Sequence, residues 1–150
     1  MTRQCRQSNA LLATVGEDNR PSVREVGPFV NNGLDIYFVT RLDSQKVKHI
    51  GMNSGVTLYF PNMNLAIKEF MSTAVTGIAA RVAEGDEFNG VLEKLDGKSP
   101  GYKKYICNEG FKIWTIYKMT AASLQFTDYS KSPRTIREDV CLNVLRSGLP

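Results

Sequence analysis

Four side chains in the first third of the chain have types and spacing suited to holding an anion: Arg24, Thr40, Ser44 and Lys46. Arg24 offers a two-pronged guanidinium fork that matches two oxygens of a phosphate. Lys46 adds a compact point charge, and Thr40 and Ser44 add hydroxyls. Asp43 and Ser44 can cap a helix. The first N–H groups and positive dipole end of that helix would then lie beside Ser44, Gln45 and Lys46. One strand and one strand-to-helix turn can together build a phosphate cradle. Taken singly, each cation reads as an ordinary solvated charge.

Other chemistries fail on spacing. Gly97-Lys98-Ser99 ends like a nucleotide-binding loop, but Leu92 stands where the required earlier glycine belongs, and the segment follows a helix pattern. His49 is the only histidine, and no G-x-S-x-G element accompanies it. It reads as a helix-surface residue, with haem ligation kept as an alternative. Cys5, Cys107 and Cys141 are far apart with no CxxC spacing, which argues against zinc and for reduced thiols. Asp86-Glu87 reads as a helix start and Glu17-Asp18 as a turn, not as acid–base pairs. The net charge of +4 raises the question of nucleic acid. Lys and Arg are scattered, however, without a basic run or an RNA-recognition motif.

The elements that must position these groups are mostly strands. Residues 9–15 form a short apolar run, and Gly16-Glu17-Asp18-Asn19 is turn chemistry. A strand is expected over 22–30, entered through Pro21. Asn31-Asn32-Gly33 is a hairpin signal. Residues 34–40 alternate, with Ile36, Phe38 and Thr40 on one face and Tyr37 and Val39 on the other. Val47 and Ile50 then follow at helical spacing, and Asn53-Ser54-Gly55 ends that helix. Strands are expected over 56–60 and 73–83, and a helix over 87–95. A loop should follow over 96–101, then a helical turn over 102–107. Residues 111–128 should hold one long strand or two, interrupted near Thr120-Ala121. Residues 140–145 suggest a short terminal helix, and residues 62–69 give no assignment. The 150 residues, 42% of them hydrophobic, suit one domain over 1–150. No apolar run is long enough for a bilayer. The apolar stretch at 10–13 is too short for a secretory leader, so a cytoplasmic setting is expected.

Three adjoining segments and a later one carry a resemblance. They are Leu12-Ala13-Thr14-Val15, Arg20-Pro21-Ser22-Val23-Arg24, and Tyr37-Phe38-Val39-Thr40 running on to Ser44-Gln45-Lys46 and Val56-Thr57-Leu58-Tyr59-Phe60; the later one is Val75-Thr76-Gly77-Ile78-Ala79. Their order and spacing resemble pyridoxamine-5′-phosphate oxidase and its relatives over about residues 10–83. That family runs a strand ending in ATV, a strand entered through Pro-x-x-Arg, a strand ending in aromatic-x-Thr and a helix opening with Ser-x-Lys.

The resemblance implies a mainly β (α+β) fold, a six-stranded antiparallel split β-barrel with flanking short helices. It implies FMN as cofactor, held at a homodimer interface. Arg24, Thr40, Ser44 and Lys46 would meet the phosphate. Backbone of Arg24, Glu25 and Val26, running on to Phe29, would lie along the ring, with Val39 and Thr40 across from it. Gln45 stands where the oxidase often has Arg, and Ser72 falls near a flavin-contacting Gln. The family's C-terminal Trp and Arg pair is missing, and Phe29 replaces a flavin-holding Lys, so a true vitamin B6 oxidase is not expected. The chain is more similar to the short stress-protein-like and nitroimidazole-resistance-like members. Trp114 and Tyr117 could flank the flavin from the partner subunit, or pack as strand aromatics. The activity implied is transfer of reducing equivalents from a nicotinamide donor through FMN to a small acceptor, with no nucleic acid and no membrane. Alternatives are a non-catalytic flavin- or haem-binding protein and a deazaflavin-dependent reductase.

Overall fold

A computed structural model of the chain describes residues 10–61, 71–129 and 136–141. Among them run β1 (Ala10–Val15), β2 (Pro21–Val26), β3 (Phe29–Asn32), β4 (Asp35–Arg41), α1 (Gln45–Met52), β5 (Gly55–Pro61), β6 (Met71–Arg81), α2 (Asp86–Lys98), α3 (Tyr102–Glu109), β7 (Trp114–Asp128) and β8 (Ile136–Cys141). All strand pairs are antiparallel. The path through the sheet is β2-β1-β5-β6-β7-β4-β3, and β8 pairs with β7. The fold is thus mainly antiparallel β with three helices.

Eight strands replace the expected six for two reasons. The strand expected over 22–30 breaks at Gly27-Pro28, where proline has no N–H to give to a ladder. In addition, residues 136–141 pair with Ser123–Asp128 of β7, so Val140 and Cys141 are strand and not helix; 142–145 lie outside the described residues. A short apolar run does not by itself distinguish strand from helix, and here a distant partner decides. The unassigned segment at 62–69 also lies outside them.

The sheet must roll up. Seven strands in path order, about 4.8 Å apart, would put β2 and β3 about 29 Å from each other if flat. Yet only Gly27 and Pro28 join them, a reach of about 11 Å. The sheet therefore curls until its two ends meet, and the chain closes the seam. Inside, Leu12, Phe38, Leu58, Val75, Met119 and Ala121 form the barrel core. Phe38 stacks on Tyr117 at 5.9 Å, and Phe29 meets Phe60 edge-on at 5.1 Å.

The alternation read in 34–40 is seen in β4. Ile36 and Phe38 face the barrel core, while Tyr37 and Val39 face a second layer built with Phe88, Leu92 and Leu95 of α2 and Ile106 of α3. Helix α2 extends to Lys98, through residues expected as loop, because Asp96 organises the turn itself. Its Oδ1 accepts hydrogen bonds from the N–H groups of Gly101 and Lys103. β7 is one long strand, and its expected interruption is a bulge: Gly77 opposes Ala121 while Thr76 opposes Ser123, leaving Ala122 extra. A β-carbon at Gly77 would sit 2.1 Å from the Thr120 carbonyl oxygen, so only glycine fits there.

Helix α1 lies at one end of the barrel. Ser44 is its N-cap residue, as expected. Val47 and Ile50 join the barrel core, and the polar side chains of α1 are thereby set beside the ends of β1 and β4.

Candidate anion-binding site

The barrel end under α1 is polar. In β2, Ser22, Arg24 and Val26 alternate with the exposed Val23 and Glu25, so Arg24 turns toward the barrel. Thr14 stands opposite Ser22 and Leu12 opposite Arg24. Arg24 Nη1 donates to Thr14 Oγ1 at 2.8 Å, and its Nη2 donates to the Ser22 hydroxyl. Thr14 is 1% exposed, and its hydroxyl also meets His49 Nδ1 of α1 at 3.0 Å.

His49 is not the solvated surface residue its sequence suggests. Its ring lies over Gly16, where a β-carbon would fall 2.9 Å from Nε2. One signal was available: Lys46 and His49 are three apart on one helix and share a face.

Lys46 is half-buried. Burial holds its ammonium below the ordinary lysine range, and the positive charge of Arg24 adds to this. Burial also lowers Arg24. Among the described residues the ion pairs are Arg20–Asp18, Arg41–Asp43, Lys103–Glu93, and Lys118 with Asp35 and Glu87. Arg24 and Lys46 are in none of them. Two partly desolvated cations without a carboxylate between them repel, and an anion placed there would satisfy both.

Two hydroxyls belong to the same end. Thr40, at the end of β4, is 2% exposed, and its Oγ1 lies 3.2 Å from Ser44 Oγ. The Ser44 side chain makes no capping bond, and its carbonyl accepts from Val47 and Lys48. The first turn of α1 therefore presents its N–H end beside Lys46.

The remaining named residues scatter. Gln45 and Glu25 are exposed. The Val26 side chain fills the barrel core, and that of Val39 faces the α2–α3 layer, so only their backbone can line a ligand. Trp114 is held elsewhere in the same chain: its indole N–H donates to the Glu109 carboxylate, its ring lies 6.0 Å from Tyr105, and Arg41 sits 5.8 Å over it. Tyr117 is buried in the barrel core, the packing alternative of its two readings. Ser72 pairs with Pro61, at the barrel end away from α1, so it too is removed from this site.

Sequence reading also missed Arg81. Its Nε donates to the buried Thr115 Oγ1 at 2.9 Å, and Thr115 stands opposite Thr40. A cavity of about 340 Å³ opens there, walled by Phe88, Phe111 and Trp114. A groove of about 620 Å³ runs between the β1–β2 turn and α1, past Gly16, Gln45, Lys48, His49 and Met52. Among the described residues no group of three His, Cys, Asp or Glu could hold a metal, and no helix is long and apolar enough to cross a membrane. Cys107 is an exposed free thiol.

Comparison with known proteins comes to the same architecture. Residues 3–108 match the family model described as pyridoxamine 5′-phosphate oxidase. No curated protein matches the chain by sequence. Among solved structures, the chain is similar to HutZ, the heme storage protein from Vibrio cholerae, at 13% identity and TM-score 0.67, covering 77% of this chain and 82% of that one. It is similar to a heme binding protein from Mycobacterium smegmatis at 12% identity and TM-score 0.73, covering 94% of this chain but only 56% of that one. A NimC/NimA family protein from Clostridium acetobutylicum matches at 19% identity and TM-score 0.61, covering 89% and 85%. At such identities these likenesses speak to the fold.

Proposed function

Because the chain belongs to the pyridoxamine 5′-phosphate oxidase family, we propose that it is an FMN-binding flavoprotein. In this reading it passes reducing equivalents from a nicotinamide donor to a small acceptor. The observation that carries this is the pairing of Arg24 and Lys46, two partly buried cations that share one barrel end with the Thr40 and Ser44 hydroxyls and the first turn of α1. That donor set fits a dianionic phosphate. Arg24, Lys46, Ser44 and Thr40 would hold it. β2 pairs with β1 among the described residues, and the backbone of Arg24, Glu25 and Val26 would lie along the ring. The backbone of Val39 and the side chain of Gln45 would complete the approach. Trp114 would contribute only across a homodimer interface, from the partner.

When bound, the flavin supplies the hydride chemistry. The chain's part is to anchor the phosphate, fix the ring's direction and exclude water. The cluster contains no carboxylate placed as a general acid or base. The departures at Phe29 and in the C-terminal Trp–Arg pair speak against a B6 vitamer as substrate, and a cytoplasmic setting goes with this reading.

A haem-binding role is the second reading, favoured by the names of two similar structures, HutZ and the mycobacterial heme binding protein. Against it stands the only histidine, whose Nδ1 is engaged by Thr14 and whose Nε2 is packed on Gly16. A deazaflavin would use the same phosphate site. The visible spectrum of the purified protein, titrated with FMN, is the test. Flavin bands and tight uptake are expected. A Soret band, or indifference to FMN, would overturn the proposal, and mass spectrometry of the released cofactor separates FMN from deazaflavin.

A further inference from the structure

We propose that His49 is a positioning residue that makes this site favour a phosphorylated flavin over an unphosphorylated one, acting through Thr14 on Arg24. The inference rests on the flavin reading above and adds a residue to it.

The linkage follows from hydrogen-bond bookkeeping at one buried atom. Thr14 Oγ1 is a single oxygen with two lone pairs and one hydrogen. Arg24 Nη1 takes one lone pair at 2.8 Å, because a guanidinium only donates. His49 Nδ1 meets the same hydroxyl at 3.0 Å, accepting its hydrogen or, as Nδ1–H, donating to its second lone pair. Either way one hydroxyl is shared between Arg24 and His49, and both hold it in place. Each bond polarises the next. His49 in turn is fixed by packing: Gly16 leaves room for the ring and for nothing larger beneath it. Three elements, the end of β1, α1 and β2, are locked together through this oxygen.

The physical consequence is preorganisation. An arginine side chain has several free rotations, and a phosphate that must freeze them binds less tightly. With Thr14 held by His49, the Arg24 fork is already oriented. Without His49, the Thr14 hydroxyl loses one of its two fixed partners, and Thr14 and Ser22 hold the Arg24 fork less firmly.

The test compares FMN with riboflavin, which lacks the phosphate, by fluorescence titration of purified wild type and variants. His49→Ala should weaken FMN binding by about three- to tenfold while leaving riboflavin unchanged. His49→Asn puts an amide, both donor and acceptor, near the position of Nδ1 and should restore most of the loss. Gly16→Ala keeps the imidazole but pushes it off its seat, and should resemble His49→Ala. In an Arg24→Ala background His49→Ala should add nothing. Equal losses for FMN and riboflavin, or additive losses with Arg24→Ala, would mean a merely structural role and overturn the inference. Wild type that prefers FMN while His49→Ala binds it equally well overturns the inference alone. Wild type that binds neither flavin overturns the functional reading as well. Thermal melts of all variants establish that each is folded; if His49→Ala is not, Gly16→Ala and His49→Asn decide.

Discussion

At the scale of single residues, the site depends on two cations that pair with no carboxylate among the described residues. If both meet the phosphate, Arg24→Ala and Lys46→Ala should each weaken FMN binding by about 1.5–3 kcal/mol, measured by titration on folded protein. Unchanged affinity in the double variant would remove the assignment. The depressed state of Lys46, caused first by burial and second by Arg24, gives a pH signature. Only the charged ammonium attracts phosphate. FMN affinity should therefore fall as pH rises into the range where this lysine loses its proton, below where an ordinary lysine would. Lys46→Arg should flatten that fall, since a guanidinium stays charged. Stability of the cofactor-free protein carries the opposite sign. The charged lysine is disfavoured on folding, so that penalty is present below its folded value and fades as pH climbs through it.

At the scale of elements, two joints can be tested. The first ties α2 to the sheet: the Tyr37 hydroxyl donates to Glu87 Oε1 at 2.7 Å, and Lys118 Nζ reaches the same oxygen at 2.9 Å. Tyr37→Phe should cost about 0.5–1.5 kcal/mol in a denaturant melt. The Tyr37 hydrogen bond, then Lys118, lower the Glu87 carboxyl. Their contribution is complete above the ordinary carboxylate range and is lost as pH falls through the folded value. Glu87→Gln should remove that slope, which will be small because the pair is half-exposed. The second joint is the bulge at Gly77. Gly77→Ala drives a β-carbon into the Thr120 carbonyl and should destabilise by about 1–3 kcal/mol. Period-2 alternation in 34–40, the Asn-Asn-Gly turn and the Ser44 cap were legible in sequence because each is decided locally. The break at Gly27-Pro28 and the pairing of 136–141 were not, because edges and partners are set by distant strands. The same holds for the site. Arg24, Thr40, Ser44 and Lys46 carry their chemistry in their residue type, whereas Arg81 and His49 gain theirs only from neighbours brought in by the fold.

At the scale of the whole molecule, a flavin laid along β2 would have one face on this chain and the other on a second copy. Light scattering should therefore give twice the chain mass, and cofactor release should give one FMN per chain. A monomer saturating with one FMN would disprove the shared site. The seam between β2 and β3 has a consequence of its own. A cylinder zipped all round by a ladder resists opening equally at every strand, but among the described residues this one is buckled shut between β2 and β3 by Gly27 and Pro28. The strand that bears Arg24 is one side of the buckle. Slack inserted there would loosen the closure while leaving β2 zipped to β1 and Arg24 on Thr14, so the grip on a ligand and the integrity of the cylinder are governed by separate parts of the chain.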